Sequence, residues 1–199
     1  RMQGIDSTDA HSALSDSIMT AKVLNIVKKK QPSTWESFFK TANKSDTETI
    51  IKKGEIITLN EYYYGKSRLH LVAPLHQKYC MHPLYAGWYY AFDLRIDIKP
   101  LLNLSINELK VEMKKSPKFL RTIRSNKAPI IVDSKYGMQA EPYNVMDKSL
   151  INKRADIIKN NEKFSQNILH ALREVAEEKE QSKTQEDIYA EESIYTKFT

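Results

Sequence analysis

Leu14, Ile18, Ala21, Leu24 and Val27 recur three and four positions apart, the spacing of one helix face. They predict an amphipathic helix over 9–29. Lys28, Lys29 and Lys30 fall in its last turn, where cations offset the negative helix end, and Pro32 stops it. Residues 33–40 predict a second, short helix, with Ser33 as its cap and Glu36 completing a capping box.

From residue 50 to 133 the pattern changes. Short β-branched or aromatic runs at 56–59, 69–73, 89–94 and 130–132 predict strands, several of them bounded by turn residues. A helical piece over 105–115, with Ser105 and Glu108 as a capping box, lies between the last two. About five short strands with one inserted helix suit a small barrel better than an open parallel sheet. Side chains alternate across a strand. Of the run Tyr62-Tyr63-Tyr64, at least one ring is therefore expected in the core, and most of Trp88, Tyr90 and Phe92 in the barrel interior. After Tyr143 the pattern is helical again, with Ile151, Ile157 and Ile158 in one stretch and Phe164, Ile168, Leu169, Leu172 and Val175 in the next.

Charge sharpens this picture. The 199 residues carry a formal net charge of +6, which favours an anionic partner, nucleic acid before membrane surface. Residues 44–135 hold sixteen Lys/Arg against nine Asp/Glu, a surplus of seven, whereas 174–199 hold eight acidic residues against three lysines. The positive charge thus sits on the β-rich middle. No apolar run approaches the ~20 residues that span a bilayer, so no membrane is expected. The one cysteine, Cys80, cannot form an internal disulfide, which suits the cytoplasm. Cys80, His70, His76 and His82 match no zinc spacing. The opening Arg1-Met2-Gln3-Gly4 runs almost directly into the first helix, as expected of a piece of a longer protein.

Chemistry is suggested at His11 and Asp16, five residues apart with small residues between. An imidazole can take a proton from water near neutral pH, and a carboxylate is a hard ligand for Mg²⁺ or Mn²⁺. Five helical residues make about 500° of turn and about 7.5 Å of rise, so the two groups would serve neighbouring spots. The plain alternative makes Asp9 a cap, His11 a first-turn residue and Asp16 a solvated charge.

The run His11-Ser12-Ala13-Leu14-Ser15-Asp16 resembles the third motif of the DEDDh 3′→5′ exonucleases. An ordered series then resembles the bacterial exodeoxyribonuclease I branch of that family. It comprises Thr20-Ala21-Lys22, Lys30-Gln31-Pro32, Asn43-Lys44, Val72-Ala73-Pro74-Leu75, His82-Pro83, Asp93-Leu94, Asp97-Ile98 with Pro100-Leu101-Leu102, Asn126-Lys127 with Pro129, Ile151-Asn152-Lys153, and Ile194-Tyr195 with Phe198. The His/Asp motif alone is weakly specific; the series covers nearly the whole chain.

The resemblance implies an α+β chain in three parts. Residues 1–32 would end a ribonuclease H-like exonuclease domain, 33–142 would form an SH3-like barrel with an inserted helix, and 143–199 would begin a C-terminal helical domain. It implies a monomeric enzyme releasing 5′-mononucleotides from single-stranded DNA in repair and recombination, with two Mg²⁺ ions. Asp16 would be a metal ligand and His11 the base. Three of the four acidic ligands would lie before residue 1, and no Asp-x-Glu pair, nor a strand to carry one, is expected within the chain. Single-strand binding needs cations for phosphates and rings for bases. Tyr62, Tyr63, Tyr64, Lys66, Arg68, Arg121, Arg124 and Lys127 are the candidates. The family also binds the acidic C-terminal tail of single-strand DNA-binding protein, for which Lys153, Arg154 and Lys159 beside Ile151, Ile157 and Ile158 are the candidates. Two other readings remain: a stand-alone binding module for nucleic acid or protein, and a DEDDh enzyme acting on RNA.

Overall fold

The computed structural model describes residues 12–182. Three helices come first: α1 (Ala13–Lys30), α2 (Pro32–Lys40) and α3 (Lys44–Lys52). Strands β1 (Ile57–Tyr63), β2 (Lys66–Pro74) and β3 (Trp88–Asp93) follow, then α4 (Ile106–Lys114), β4 (Leu120–Arg124) and β5 (Ile130–Asp133). Helices α5 (Ser134–Gln139), α6 (Lys148–Asn160) and α7 (Glu162–Gln181) complete the described chain. The expected α+β class is borne out.

All five strands join one antiparallel sheet in the order β4-β3-β2-β1-β5. The β1–β2 register sets Tyr63 opposite Lys66, leaving Tyr64-Gly65 as a two-residue turn. Both turn residues have positive φ, 50° and 77°, as a type I′ hairpin requires. Gly65 adopts this without cost; Tyr64 does so at roughly 1–2 kcal/mol. The turn carries the strand ends beyond the sheet body. Tyr62, Tyr63 and Tyr64 are consequently 72%, 46% and 101% exposed. None of the three is in the core, contrary to the alternation argument, which fails where a hairpin outruns its sheet.

Central strand β2 is buried from His70 to Pro74. Close approach of α5 helps to cover it. Gly137 sits where an added Cβ would come within 2.5 Å of Thr58 Oγ1 and 2.9 Å of Leu71 Cδ1, and its N–H donates to Thr58 Oγ1 at 3.0 Å. Helices α6 and α7 share the sheet's core: Ile151, Ile158, Phe164, Ile168 and Ala171 belong to the same buried cluster as Leu71 and Phe92. Phe92 meets Phe164 edge-on at 6.4 Å. Tyr90 and Phe92 are interior as expected, while Trp88 is half-buried under Arg124, whose guanidinium lies 4.1 Å from the ring centroid.

The Ser105–Glu108 capping box forms as the sequence predicts. The one at α2 does not: Gln31 is the cap residue with no side-chain bond, and the Ser33 hydroxyl meets Tyr136 Oη at 3.2 Å instead. Helix α1 begins at Ala13, capped by Ser12; the expected start at Asp9 lies outside the described residues. No α1 residue is buried, and Leu14, Ile18, Val23 and Leu24 are exposed.

Candidate nucleic-acid interface

One face of the sheet carries a row of charge. Glu61 from β1, His70 from β2, Asp93 from β3 and Arg121 from β4 share that face by register. Arg121 donates from Nη1 to Glu61 at 3.0 Å and from Nη2 to Asp93 at 3.1 Å. Arg95 Nε lies 3.1 Å from Asp93, and the Tyr143 hydroxyl donates to Asp93 at 2.6 Å. The His70 ring stands between the two carboxylates, with Nε2 at 3.3 Å from Glu61 and Nδ1 at 3.4 Å from Asp93.

Burial pushes the Asp93 carboxyl up, but hydrogen bonds from His70 and Tyr143 and the charges of Arg95 and Arg121 outweigh it. They hold Asp93 below the usual carboxylate range. Burial drives the Tyr143 phenol up, reinforced by Asp93. Tyr63 is also raised, by partial burial first and then by neighbouring Glu61.

This row floors two clefts that meet at Tyr63, Lys118 and Arg121. The larger, about 640 Å³, is lined by Arg68, His70, Arg95 and Tyr143 besides those three. The smaller, about 390 Å³, extends along Thr122, Arg124, Lys127 and Pro129. The basic middle inferred from charge counting thus becomes a continuous cation-lined groove beside the tyrosine hairpin.

The expected strand-binding residues fare differently in this geometry. Lys66, Arg68, Arg124 and Lys127 are exposed, and all but Lys66 line a cleft. Arg121 lines both, but its guanidinium is taken up by two carboxylates; it holds the sheet together more than it offers charge. Tyr62 and Tyr64 line neither cleft, whereas Tyr63 lines both. Sequence reasoning missed Lys118 and Arg95. No local spacing marks either, because the cleft they line is built from separate strands and loops.

Of the two chemical candidates, His11 lies outside the described residues. Asp16 is exposed in the first turn of α1. No three His, Cys, Asp or Glu among the described residues come together to hold a metal. A two-metal site needs several carboxylates around ions about 3.5–4 Å apart. Residues 12–182 do not by themselves fit two ions. Asp46-Thr47-Glu48 does spell an Asp-x-Glu pair, correcting the expectation of none. Helix α3 rather than a strand carries it, and Glu48 accepts a hydrogen bond from Ser125 Oγ at 3.2 Å.

Lys153 and Lys159 are exposed on α6. The Lys159 stem packs over Gly54 at a cleft of about 200 Å³ lined also by Lys52, Lys53, Leu75 and His76. Arg154 is only 9% exposed and donates from Nη1 to the Leu94 carbonyl at 2.8 Å. It ties α6 to the end of β3, and little of its side chain is open to a peptide.

No family model matches the chain. Exodeoxyribonuclease I of Buchnera aphidicola is 28% identical over 175 residues, covering 80% of this chain and 40% of the relative. E. coli exonuclease I in complex with a 5cy-dT13 oligonucleotide has a similar fold, with a TM-score of 0.61, 19% identity and coverage of 81% of this chain and 37% of that one. The ExoI/SSB-Ct complex gives a TM-score of 0.62 at 19% identity, over 84% and 38%. The chain resembles bacterial exodeoxyribonuclease I along most of its length, and spans about two fifths of the length of these relatives.

Proposed function

We propose that this chain is the strand-binding part of a 3′→5′ exodeoxyribonuclease, and that its groove guides single-stranded DNA. The observation that carries the reading is the exposed hairpin of three tyrosines set beside clefts lined by Arg68, Arg95, Lys118, Arg124 and Lys127. Cations take the phosphates and rings take the bases, without hydrogen-bond readout of sequence. Likeness to an exonuclease I bound to an oligonucleotide supports this assignment.

In this reading the sheet with α4 is the SH3-like part, and α6 and α7 belong to the helical part that follows. Asp16 is one carboxylate of a Mg²⁺ site whose other members are not among residues 12–182, and His11 is its base. The chain alone therefore binds DNA and does not cut it. The cleft around Lys52, Lys53 and Lys159, with Leu75 beside them, suits an acidic peptide with apolar side chains. Likeness to an exonuclease I bound to SSB-Ct supports such a partner.

The reading is tested by incubating the chain with 3′-labelled single-stranded and double-stranded DNA in Mg²⁺. Preferential retention of the single strand without release of mononucleotides is expected. Equal retention of both forms contradicts strand specificity; mononucleotide release abolished by Asp16→Ala contradicts the account of the metal site.

A further inference from the structure

Four exposed cations of the groove form no ion pair among the described residues. Arg68 and Lys118 line the larger cleft, Arg124 and Lys127 the smaller. Tyr63, 46% exposed, is the wall that both clefts share. Lys118 and Arg124 are six residues apart along the chain, about 20 Å at full extension. The groove thus presents a cation pair, a ring and a second cation pair within one short span.

The chain after Ser182 carries the matching series. Glu186-Asp187 and Glu191-Glu192 are two carboxylate pairs with Ile188 and Tyr189 between them, and no cation falls within 186–192. The pairs are five residues apart, about 17 Å in an extended chain. Opposite charges on similar spacings select a partner and fix its register.

Helix α7 delivers this segment to the groove. It starts beside the cleft of Lys52, Lys53 and Lys159, where Ser165 accepts a hydrogen bond from the His76 N–H at 3.0 Å. Its 20 residues carry the chain about 30 Å, to α4, where Glu174 and Glu178 pair with Lys110. Eight residues beyond Lys110 the chain reaches Lys118. The acidic segment therefore leaves α7 near the groove and far from the cleft of Lys159. A short tether gives it a local concentration of order millimolar, so contacts that are individually weak suffice to hold it.

We propose that residues 186–192 occupy the groove in cis as an autoinhibitory contact. Glu186 and Asp187 meet Arg68 and Lys118, Tyr189 packs on Tyr63, and Glu191 and Glu192 meet Arg124 and Lys127. A single strand must displace the segment before it can enter. The occupancy stands on charge and reach; that it inhibits rests on the strand-binding reading.

The test compares backbone amides of the whole chain by NMR, without DNA, between the wild type and Glu186→Gln/Asp187→Asn/Glu191→Gln/Glu192→Gln. Shifts at Tyr63, Arg68, Lys118, Arg124 and Lys127 are expected. A synthetic peptide of residues 183–199, added to the variant, should move those amides back toward their wild-type positions. Oligo-dT affinity of the variant should rise about tenfold, as four surface ion pairs of modest strength are removed. The control, Glu36→Gln/Glu55→Gln/Asp156→Asn/Glu177→Gln, neutralises four carboxylates outside both clefts and should gain much less. Unmoved groove amides in the variant overturn the inference. So do shifts confined to Lys52, Lys53 and Lys159, which place the segment in the other cleft, and an equal gain in the control, which makes the effect one of net charge. If no form binds oligo-dT, the strand-binding reading falls, and the amide comparison still decides whether the segment lies in the groove.

Discussion

The Tyr143 phenol donates a 2.6 Å hydrogen bond to Asp93, fastening the segment that leads into α6 to a carboxylate at the end of β3. Both residues are buried, at 2% and 0% exposure. Hydrogen bonds to buried charged groups are worth about 1.5–3 kcal/mol. Tyr143→Phe should therefore destabilise the chain by about that amount, read as a lowered urea midpoint with little change in slope. A variant as stable as the wild type would mean that Arg95, Arg121 and His70 satisfy Asp93 without it.

Asp93 itself should make stability depend on acid. Its folded pKa is depressed, so its contribution is complete above the unfolded carboxylate pKa of about 3.9 and is lost as pH falls through the lower folded value. Asp93→Asn leaves Arg95 without its carboxylate partner and Arg121 with Glu61 alone, at about 3–5 kcal/mol near pH 7. The gap between wild type and variant should hold down to about pH 4 and narrow only below it. A gap that closes between pH 7 and 5 would contradict the depressed carboxylate.

His82 gives a second pH window with its own sign. Burial lowers its pKa, and the neutral Nδ1 accepts N–H bonds from Leu84 and Tyr85 at 3.0 and 3.2 Å. The unfolded histidine takes up a proton below about pH 6.5 and the folded one resists. Stability should therefore fall as pH drops from 7 to 5.5. His82→Asn keeps an acceptor without titrating, so thermal unfolding should show a smaller pH response than in the wild type. Equal responses would place the titration elsewhere.

Gly137 tests the contact between α5 and the sheet. A methyl group there would meet Thr58 Oγ1 at 2.5 Å and Leu71 Cδ1 at 2.9 Å. Gly137→Ala should cost about 1–3 kcal/mol through overpacking, measured by chemical denaturation. A neutral result would show that α5 can shift without loss.

What the sequence revealed depended on whether partners were local. Helices α4, α6 and α7, the Ser105 cap and strands β1, β2, β3 and β5 follow from spacing within a few residues. Strand β4 escaped because Arg121 points to the buried face, where a period-two pattern expects an apolar residue. Its partners, Glu61 and Asp93, lie on other strands and are unreadable from local spacing. The same non-local row hid Arg95 and gave Arg121 two carboxylate partners that its neighbours in sequence do not announce. Surplus charge in the middle of the chain was legible by counting; Lys118 required the cleft to be seen.

The most direct test of strand binding is fluorescence anisotropy of labelled oligo-dT with the chain across a salt series. Contacts to three to five phosphates predict a slope of log K against log salt of about −2 to −3.5. Replacing Tyr63 by Leu should weaken binding by about 1–3 kcal/mol if a base stacks on it, without altering that slope. A flat salt response in the wild type would contradict the groove as a path for DNA.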